Sequence, residues 1–417
     1  MIDLENNKTY CPYLFRGAVM QVPDSSIVPC CRYKDDTAKD YPKSFNDGYK
    51  NIWETIRKKS LDGKKIKGCW RCYQDEEAGI KSMRQSAIDT NSEISYDYKE
   101  NPKYSETQLE FLEIQTGRFC NLKCRSCGPK LSTSWDEDLD KNNDLVKNFF
   151  GNEQHEYINI KQLPKTNQSL SSIEYNTVRH LKNVKATGGE PFLNDQFQTF
   201  LSNLVKWDIA KNIHLEVFTN CSFFPKDQYR KLIPKFKSAR VDLSLDAIEE
   251  RAEFLRKGSE WKNVMDSATK WVEVSQDHPN VSVVIGHTLT IYNVLYLKEF
   301  INWIADHFPK EIITNDFLDL HLAQTPTYLS LSNLSVDNQS KIKGIVSQHK
   351  KQLISKHSNN KVMLSIIEKS YNKISKGLNY ASNDLSIEFF EKAKLLDDVR
   401  NENWRTTFPE LAEVIYV

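Results

Sequence analysis

The stretch Arg118-Phe119-Cys120-Asn121-Leu122-Lys123-Cys124-Arg125-Ser126-Cys127 sets three cysteines in one short run, separated by three residues and then two. An iron–sulfur cluster of the 4Fe–4S type ordinarily takes four thiolates, one per iron. Three thiolates in a tight loop hold three irons and leave the fourth open, and an open iron binds a small molecule. The competing reading is a zinc knuckle, or two ligands of a zinc site plus a bystander. Short zinc loops show paired Cys-x2-Cys or Cys/His ligands, and no histidine lies near Cys127.

About sixty residues on, Val184-Lys185-Ala186-Thr187-Gly188-Gly189-Glu190-Pro191 reads as a short strand ending in Gly-Gly. Glycines there let a ligand approach the backbone with no Cβ in the way. Glu190 then presents a carboxylate, and Pro191 opens the following helix at its first position. The cysteine triplet and this segment together resemble the signature of radical SAM enzymes. The resemblance implies that the open iron chelates the amino and carboxylate groups of S-adenosylmethionine (SAM). One electron from the cluster then cleaves the sulfonium to a 5′-deoxyadenosyl radical. It also assigns Gly188, Gly189 and Glu190 to the methionine ammonium. The family usually has an aromatic residue just before the third cysteine, near the adenine. Ser126 stands there, so Phe119 or the later strands are expected to supply the apolar contacts.

Outward from these motifs the pattern alternates strand and helix. Strands are expected at Phe111 to Thr116, His214 to Asn220, Val241 to Asp246, Val281 to Leu289 and Phe317 to Leu322. Helices are expected at Asn194 to Lys206, Trp261 to Val274 and Leu297 to His307. Repeated strand–helix units imply a parallel sheet with helices outside. The expected fold is α/β: a partial (β/α)6 radical SAM barrel with an N-terminal twitch iron–sulfur domain and a C-terminal helical extension. Functional groups gather at the carboxyl ends of such strands. The ends at Asn220 and Ser244 resemble the family's third and fourth strands, which meet the cofactor's ribose and carboxylate. Arg256 resembles the arginine that helps hold that carboxylate. Against each stands the plain reading of a strand cap or a surface arginine.

Of nine cysteines, five lie in the first 72 residues: Cys11, Cys30, Cys31, Cys69 and Cys72. The segment Val22 to Cys31 reads as a hairpin with its turn at Pro23 to Ser26. Cys11, Cys30, Cys69 and Cys72 make a closed four-thiolate set, with Cys30 preferred over Cys31. The layout resembles the twitch domain, the shortened relative of the SPASM domain, and implies an auxiliary 4Fe–4S cluster. Two departures are Ser25 where glycine is usual and a position before the barrel rather than after it. A small zinc ribbon is the rival for these cysteines. Cys31 and Cys221 are left unassigned, by default as buried, inert thiols, with a cavity-facing position after the third strand's end as the alternative for Cys221.

The chain has 417 residues, enough for a full core and an accessory domain. The expected domains are 1–90 (twitch), 109–325 (barrel) and 326–417 (helical extension), with a polar linker at 91–108. In the extension, Met363, Ile367, Tyr371 and Ile374 fall on one helical face with Gly377 as a stop, and a second helix spans Glu388 to Val399. With 57 basic and 56 acidic residues the chain shows no global electrostatic footprint for nucleic acid. The apolar runs are too short to span a membrane, and cluster cysteines call for a reducing, cytoplasmic setting.

These observations lead to a radical SAM enzyme with two 4Fe–4S clusters and SAM as cofactors, supplied with electrons by a reductase such as flavodoxin or ferredoxin. The auxiliary cluster would transfer electrons, making the outcome a net oxidation or bond formation. No winged-helix element for a leader peptide is recognisable, which favours a polar small molecule or carbohydrate as substrate; a ribosomal peptide or protein is the alternative. Arg84, Asn220, Asp246, His287 and His321 are candidates to line the substrate cavity, each equally readable as ordinary structure. The rival of another class is a non-catalytic metal-binding scaffold.

Overall fold

A computed structural model describes residues 7–21, 26–35, 41–42, 45, 49–77, 79, 81–90, 109–151, 155–162, 164–378 and 386–415. The expected turn residues Pro23 to Ser25 and the expected linker at 91–108 lie outside the described residues. Among the described residues of this α/β chain eight strands are hydrogen-bonded in the order β2-β1-β3-β4-β5-β6-β7-β8. Packing divides the chain into two units. The first comprises Met1–Arg118, Leu163–Val217 and Asp227–Ala239, and the second Phe119–Gln162, Phe218–Lys226 and Arg240–Val417.

In the first unit β1 (Gly17–Met20) and β2 (Ile27–Val28) are antiparallel, with Val19 opposite Val28. β1 pairs parallel with β3 (Phe111–Gln115), β3 with β4 (Asn183–Thr187), and β4 with β5 (His214–Thr219). The addition of β1 to this sheet is a finding, since a four-residue run is too short for periodicity to declare it. Burial alternates in β3 and β4: Leu112, Ile114, Val184 and Ala186 are buried, while Glu113 and Lys185 on the opposite face are half-buried. Parallel strands covered on both faces are nearly all apolar, so charge at the centres of these two is a departure. Helices α1 (Trp70–Glu77) and α2 (Met83–Thr90) precede β3. α3 (Asp195–Lys206) starts where the Asn194 side chain accepts from Phe197 N, and it buries Phe197, Phe200, Leu201 and Leu204. That spacing of three and four residues is an amphipathic stripe. Each such side chain contributes about 1.5–3 kcal/mol on burial.

In the second unit β6 (Ser238–Ser244, from Arg240 on), β7 (Val281–Leu289) and β8 (Leu318–Leu322) follow one another, and β7 pairs parallel with β8. The β-branched run of β7 is almost wholly buried. α4 (Trp261–Asp277) lies between β6 and β7, and α5 (Leu297–His307) between β7 and β8. Helices α6 (Val336–Lys356), α7 (Lys361–Gly377) and α8 (Ser386–Arg400) follow, and two short helical segments, Trp404–Thr407 and Pro409–Val414, come after them. Met363, Ile367, Tyr371 and Ile374 are all buried on α7, as their spacing predicts. The helix ends at Gly377, where a Cβ would come 3.2 Å from the Leu322 side chain, so close approach explains that glycine. Aromatic rings knit the extension into this unit. Tyr292 lies 5.0 Å from Phe389, 5.5 Å from Phe408 and 5.8 Å from Phe254, centroid to centroid.

Candidate functional site

The loop carrying the cysteine triplet belongs to the second unit and is tied down along its backbone. Lys123 N donates to Lys257 O at 2.9 Å and Arg125 N to Leu255 O at 2.8 Å. Side chains answer its carbonyls: Ser134 Oγ donates to Cys120 O at 2.8 Å, and Trp135 Nε1 to Cys124 O at 3.2 Å. Cys120, Cys124 and Cys127 gather around the buried side chain of Leu122. Burial pushes the Cys127 thiol up to about 12, and the neighbouring Cys124 and Cys120 raise it further. Burial raises Cys124 as well, while Arg256 pulls it back. Thiols this reluctant to ionise alone become ligands when a bound metal supplies the positive charge.

Among the described residues, no three His, Cys, Asp or Glu side chains converge on a single ion. A cluster with one thiolate per iron asks for thiols set around it rather than meeting at a point. The donor set fits that demand: three sulfurs from one anchored loop, close enough to feel one another's charge.

The other expected residues of this unit fall as follows. Asn220 is buried; its Nδ2 donates to Asn121 Oδ1 at 2.9 Å and lies 3.7 Å from Cys120 Sγ. Its Oδ1 accepts from Ser222 N and Oγ. Ser244 is the half-buried last residue of β6. Arg256 Nη2 pairs with Asp246 Oδ2 at 2.8 Å, and its buried Nε has no hydrogen-bond partner among the described residues. A buried orphan donor of this kind, on a cation that also interacts with Cys124 and Cys120, is a vacancy for an acceptor. Asp246 Oδ1 accepts from Thr288 N at 2.7 Å. His287 is buried with Nδ1 2.9 Å from Leu245 O and Nε2 3.4 Å from Asn293 Nδ2, a structural setting. His321 is exposed, 3.4 Å from Asp319. Phe119 is exposed, and Cys221 is buried with Sγ 3.6 Å from Val264 O.

Gly188, Gly189 and Glu190 belong to the first unit, immediately after β4. Gly188 has φ +112, and a Cβ there would meet Thr116 N at 2.8 Å and Gly117 O at 2.9 Å. Gly189 N donates to Gly117 O at 2.8 Å. The wholly buried Glu190 accepts from Phe192 N at 3.2 Å and so caps the turn that Pro191 opens. Only glycine permits two strand ends to pack this closely at that backbone angle.

The N-terminal cysteines also belong to the first unit. Burial pushes Cys11 up to about 12, with Cys72 adding to the rise. Burial likewise raises Cys69, which Cys11 and Cys72 raise further, and Cys30, which Cys11, Cys31 and Cys69 raise further. Cys11, Cys30, Cys69 and Cys72 thus lie near enough to influence one another, with Cys31 beside Cys30. Cys31 is exposed, not buried as expected, and its Sγ lies 3.9 Å from Met83 Sδ. Arg84 is fixed by Glu76, at 2.9 and 2.6 Å, and by Tyr10 O; its charge eases the repulsion at Cys11 and Cys69. That is its place, rather than a cavity wall among later strands.

Two arrangements escaped the sequence reading. Arg125, between the second and third cysteines, is fully buried. It meets Asp397 at 2.5 Å and Glu402 at 2.7 Å, and stacks 3.8 Å above the Phe254 ring. Arg400 of α8 joins it by pairing with Asp138 at 2.8 Å, which also holds Lys123 at 2.5 Å. The second is a row of charges across β3, β4 and β5. Charged residues at the centres of otherwise apolar strands were the signal available for it.

Residues 114–304 match the family model described as Radical SAM superfamily. The chain carries a radical SAM domain. No curated protein matches the chain. Solved structures are similar at low identity. One described as native anSMEcpe with bound AdoMet and Cp18Cys peptide is 18% identical over 59% of this chain and 60% of that one, with a TM-score of 0.37. Another, Streptococcus suis SuiB bound to precursor peptide SuiA, is 13% identical over 68% of this chain and 60% of that one, with a TM-score of 0.35. The chain thus spans about 60% of the length of each.

Proposed function

We propose that this chain is a radical SAM enzyme whose initiating 4Fe–4S cluster is held by Cys120, Cys124 and Cys127, and which carries a second cluster on Cys11, Cys30, Cys69 and Cys72. When bound, the first cluster would supply the electron that cleaves SAM to methionine and a 5′-deoxyadenosyl radical, and the second would transfer electrons. Family roles pass to Gly188, Gly189 and Glu190 for the methionine ammonium, and to Asn220, Ser244 and Arg256 for the ribose and carboxylate. The substrate is a compact polar molecule undergoing net oxidation or bond formation, with electrons entering from a flavodoxin- or ferredoxin-like reductase.

The observation that carries this reading is the anchored loop. Its three thiols have been gathered around Leu122, and the orphaned Nε of Arg256 stands on a cation that acts on two of them. Arg256, held by Asp246, offers its remaining donor to an anionic group and keeps positive charge beside the thiolates. Asn220 steadies the loop through Asn121. The test is 5′-deoxyadenosine formation by anaerobically reconstituted protein with SAM and dithionite. The native chain should form it and the Cys120→Ala/Cys124→Ala/Cys127→Ala chain should not. Zinc in place of iron in protein purified without air would instead favour the scaffold.

A further inference from the structure

Arg400, the last residue of α8, is buried beside the cysteine loop within the second unit, and its charge is only partly answered. Its side chain is 1% exposed, and Nε donates to Asp138 Oδ2 at 2.8 Å. Nη1 and Nη2 are buried and have no hydrogen-bond partner among the described residues. Asp138 is shared, because Lys123 Nζ lies 2.5 Å from its other oxygen and reaches the exposed Glu137 only at 3.3 Å. The acids nearest Arg400 in the chain are engaged elsewhere. Asp397 and Glu402 both hold Arg125, Asp397 accepts from Trp404 N at 2.8 Å, and Glu402 lies 2.8 Å from Lys257. One buried carboxylate thus serves two cations.

The guanidinium lies 4.6 Å from the centre of the Trp135 ring, and that indole's Nε1 donates to Cys124 O at 3.2 Å. One buried side chain therefore touches the arginine on its face and the second cysteine's carbonyl at its edge. The positive charge of Arg400, like that of Arg256, favours the thiolate of Cys124. A ring face offsets part of the solvation a buried cation has lost. The rest calls for negative charge close by. Three thiolates outweigh the positive charge of a 4Fe–4S core, and reduction adds one electron more.

We propose that Arg400 is the counter-charge of the cluster on Cys120, Cys124 and Cys127, and that through it the C-terminal extension raises the reduction potential of that cluster. The inference rests on the radical-enzyme reading for the presence of the cluster. A buried cation stabilises the reduced form, which carries the extra electron, more than the oxidised one. Net charge around a cluster is one of the levers that sets its potential. Asp138 acts in the opposite sense, because it damps both Arg400 and Lys123. An Arg400 that merely held Trp135 and Asp138 in place would give no reason for the loss of the arginine and the loss of the aspartate to move the potential in opposite directions.

The test is a reductive titration of the full chain, reconstituted without oxygen and without SAM, followed by electron paramagnetic resonance. The signal read is the part that the Cys120→Ala/Cys124→Ala/Cys127→Ala chain lacks. Unit charges about 10 Å apart, at an effective permittivity of about 20, change an equilibrium by roughly tenfold, and tenfold is about 59 mV for one electron. Arg400→Gln should lower the midpoint by about that amount. Arg400→Lys, which keeps the charge without the planar fork, should stay within about 18 mV of native, a twofold change. Asp138→Asn should raise the midpoint by more than about 18 mV, and it decides the matter where Arg400→Gln fails to fold. An Arg400→Gln midpoint within about 18 mV of native, an Arg400→Lys midpoint that falls as far as that of Arg400→Gln, or an Asp138→Asn midpoint that does not rise would overturn the proposal. A native chain with no triplet-dependent signal would sink the cluster reading and the counter-charge with it; an unshifted variant beside a native signal sinks the counter-charge alone.

Discussion

Arg125 shows how one side chain can govern a loop. Its guanidinium lies out of water against Asp397, Glu402 and the Phe254 ring. Removing one partner of a buried ion pair leaves the others uncompensated and costs about 3–5 kcal/mol. Arg125→Met is therefore expected to lose roughly that much in anaerobic urea unfolding; a loss under about 1 kcal/mol would show that water reaches the two carboxylates. His287 makes a different statement. Burial lowers it to about 4 from an ordinary 6.5. Between those values the unfolded chain binds the proton and the folded chain does not, so stability is complete above about pH 6.5 and falls as pH drops toward 4. The acid loss attributable to this residue is about 3 kcal/mol, and His287→Gln should flatten the stability–pH curve in that window. The cysteines were legible because their spacing is itself the chemistry. Arg125 was not, because a basic residue in a polar loop reads as solvated and its partner Asp397 lies 272 positions away.

At the scale of elements, the β4–turn junction depends on a missing side chain. Gly188 combines φ +112 with backbone atoms 2.8 and 2.9 Å from where a Cβ would sit. Gly63 has φ +72 and nothing within 4 Å. Gly63→Ala should cost about 1 kcal/mol, the conformational term alone. Gly188→Ala adds displacement of the β3 end and should cost more, about 2–3 kcal/mol, in parallel thermal melts. Equal losses would mean that the junction yields easily. Most elements could be read from periodicity: β7, α5 and α7 are long or strongly patterned, and their boundaries fall close to expectation. The row Glu113-Lys185-Glu216 could not, because which residues face one another depends on register between strands that no single strand encodes.

For the whole molecule, the two donor sets make a countable claim. Protein matured without oxygen should carry about eight irons, falling to about four when Cys120, Cys124 and Cys127 are replaced, and to about four when Cys11, Cys30, Cys69 and Cys72 are replaced. About four irons in the native chain, lost entirely with the triplet, would remove the second cluster. The long reach of Arg125 also sets an order in time. At about 5–20 residues per second, a ribosome that has made Arg125 needs on the order of tens of seconds to reach Asp397. Until then the guanidinium lacks these two counter-charges and the loop rests on its ties to Ser134, Trp135, Leu255 and Lys257 alone. Nascent chains stalled before Asp397 should therefore leave that loop open to protease, while chains stalled well past Glu402 protect it. Iron is then best delivered after synthesis, to a loop that the far end of its own chain has closed.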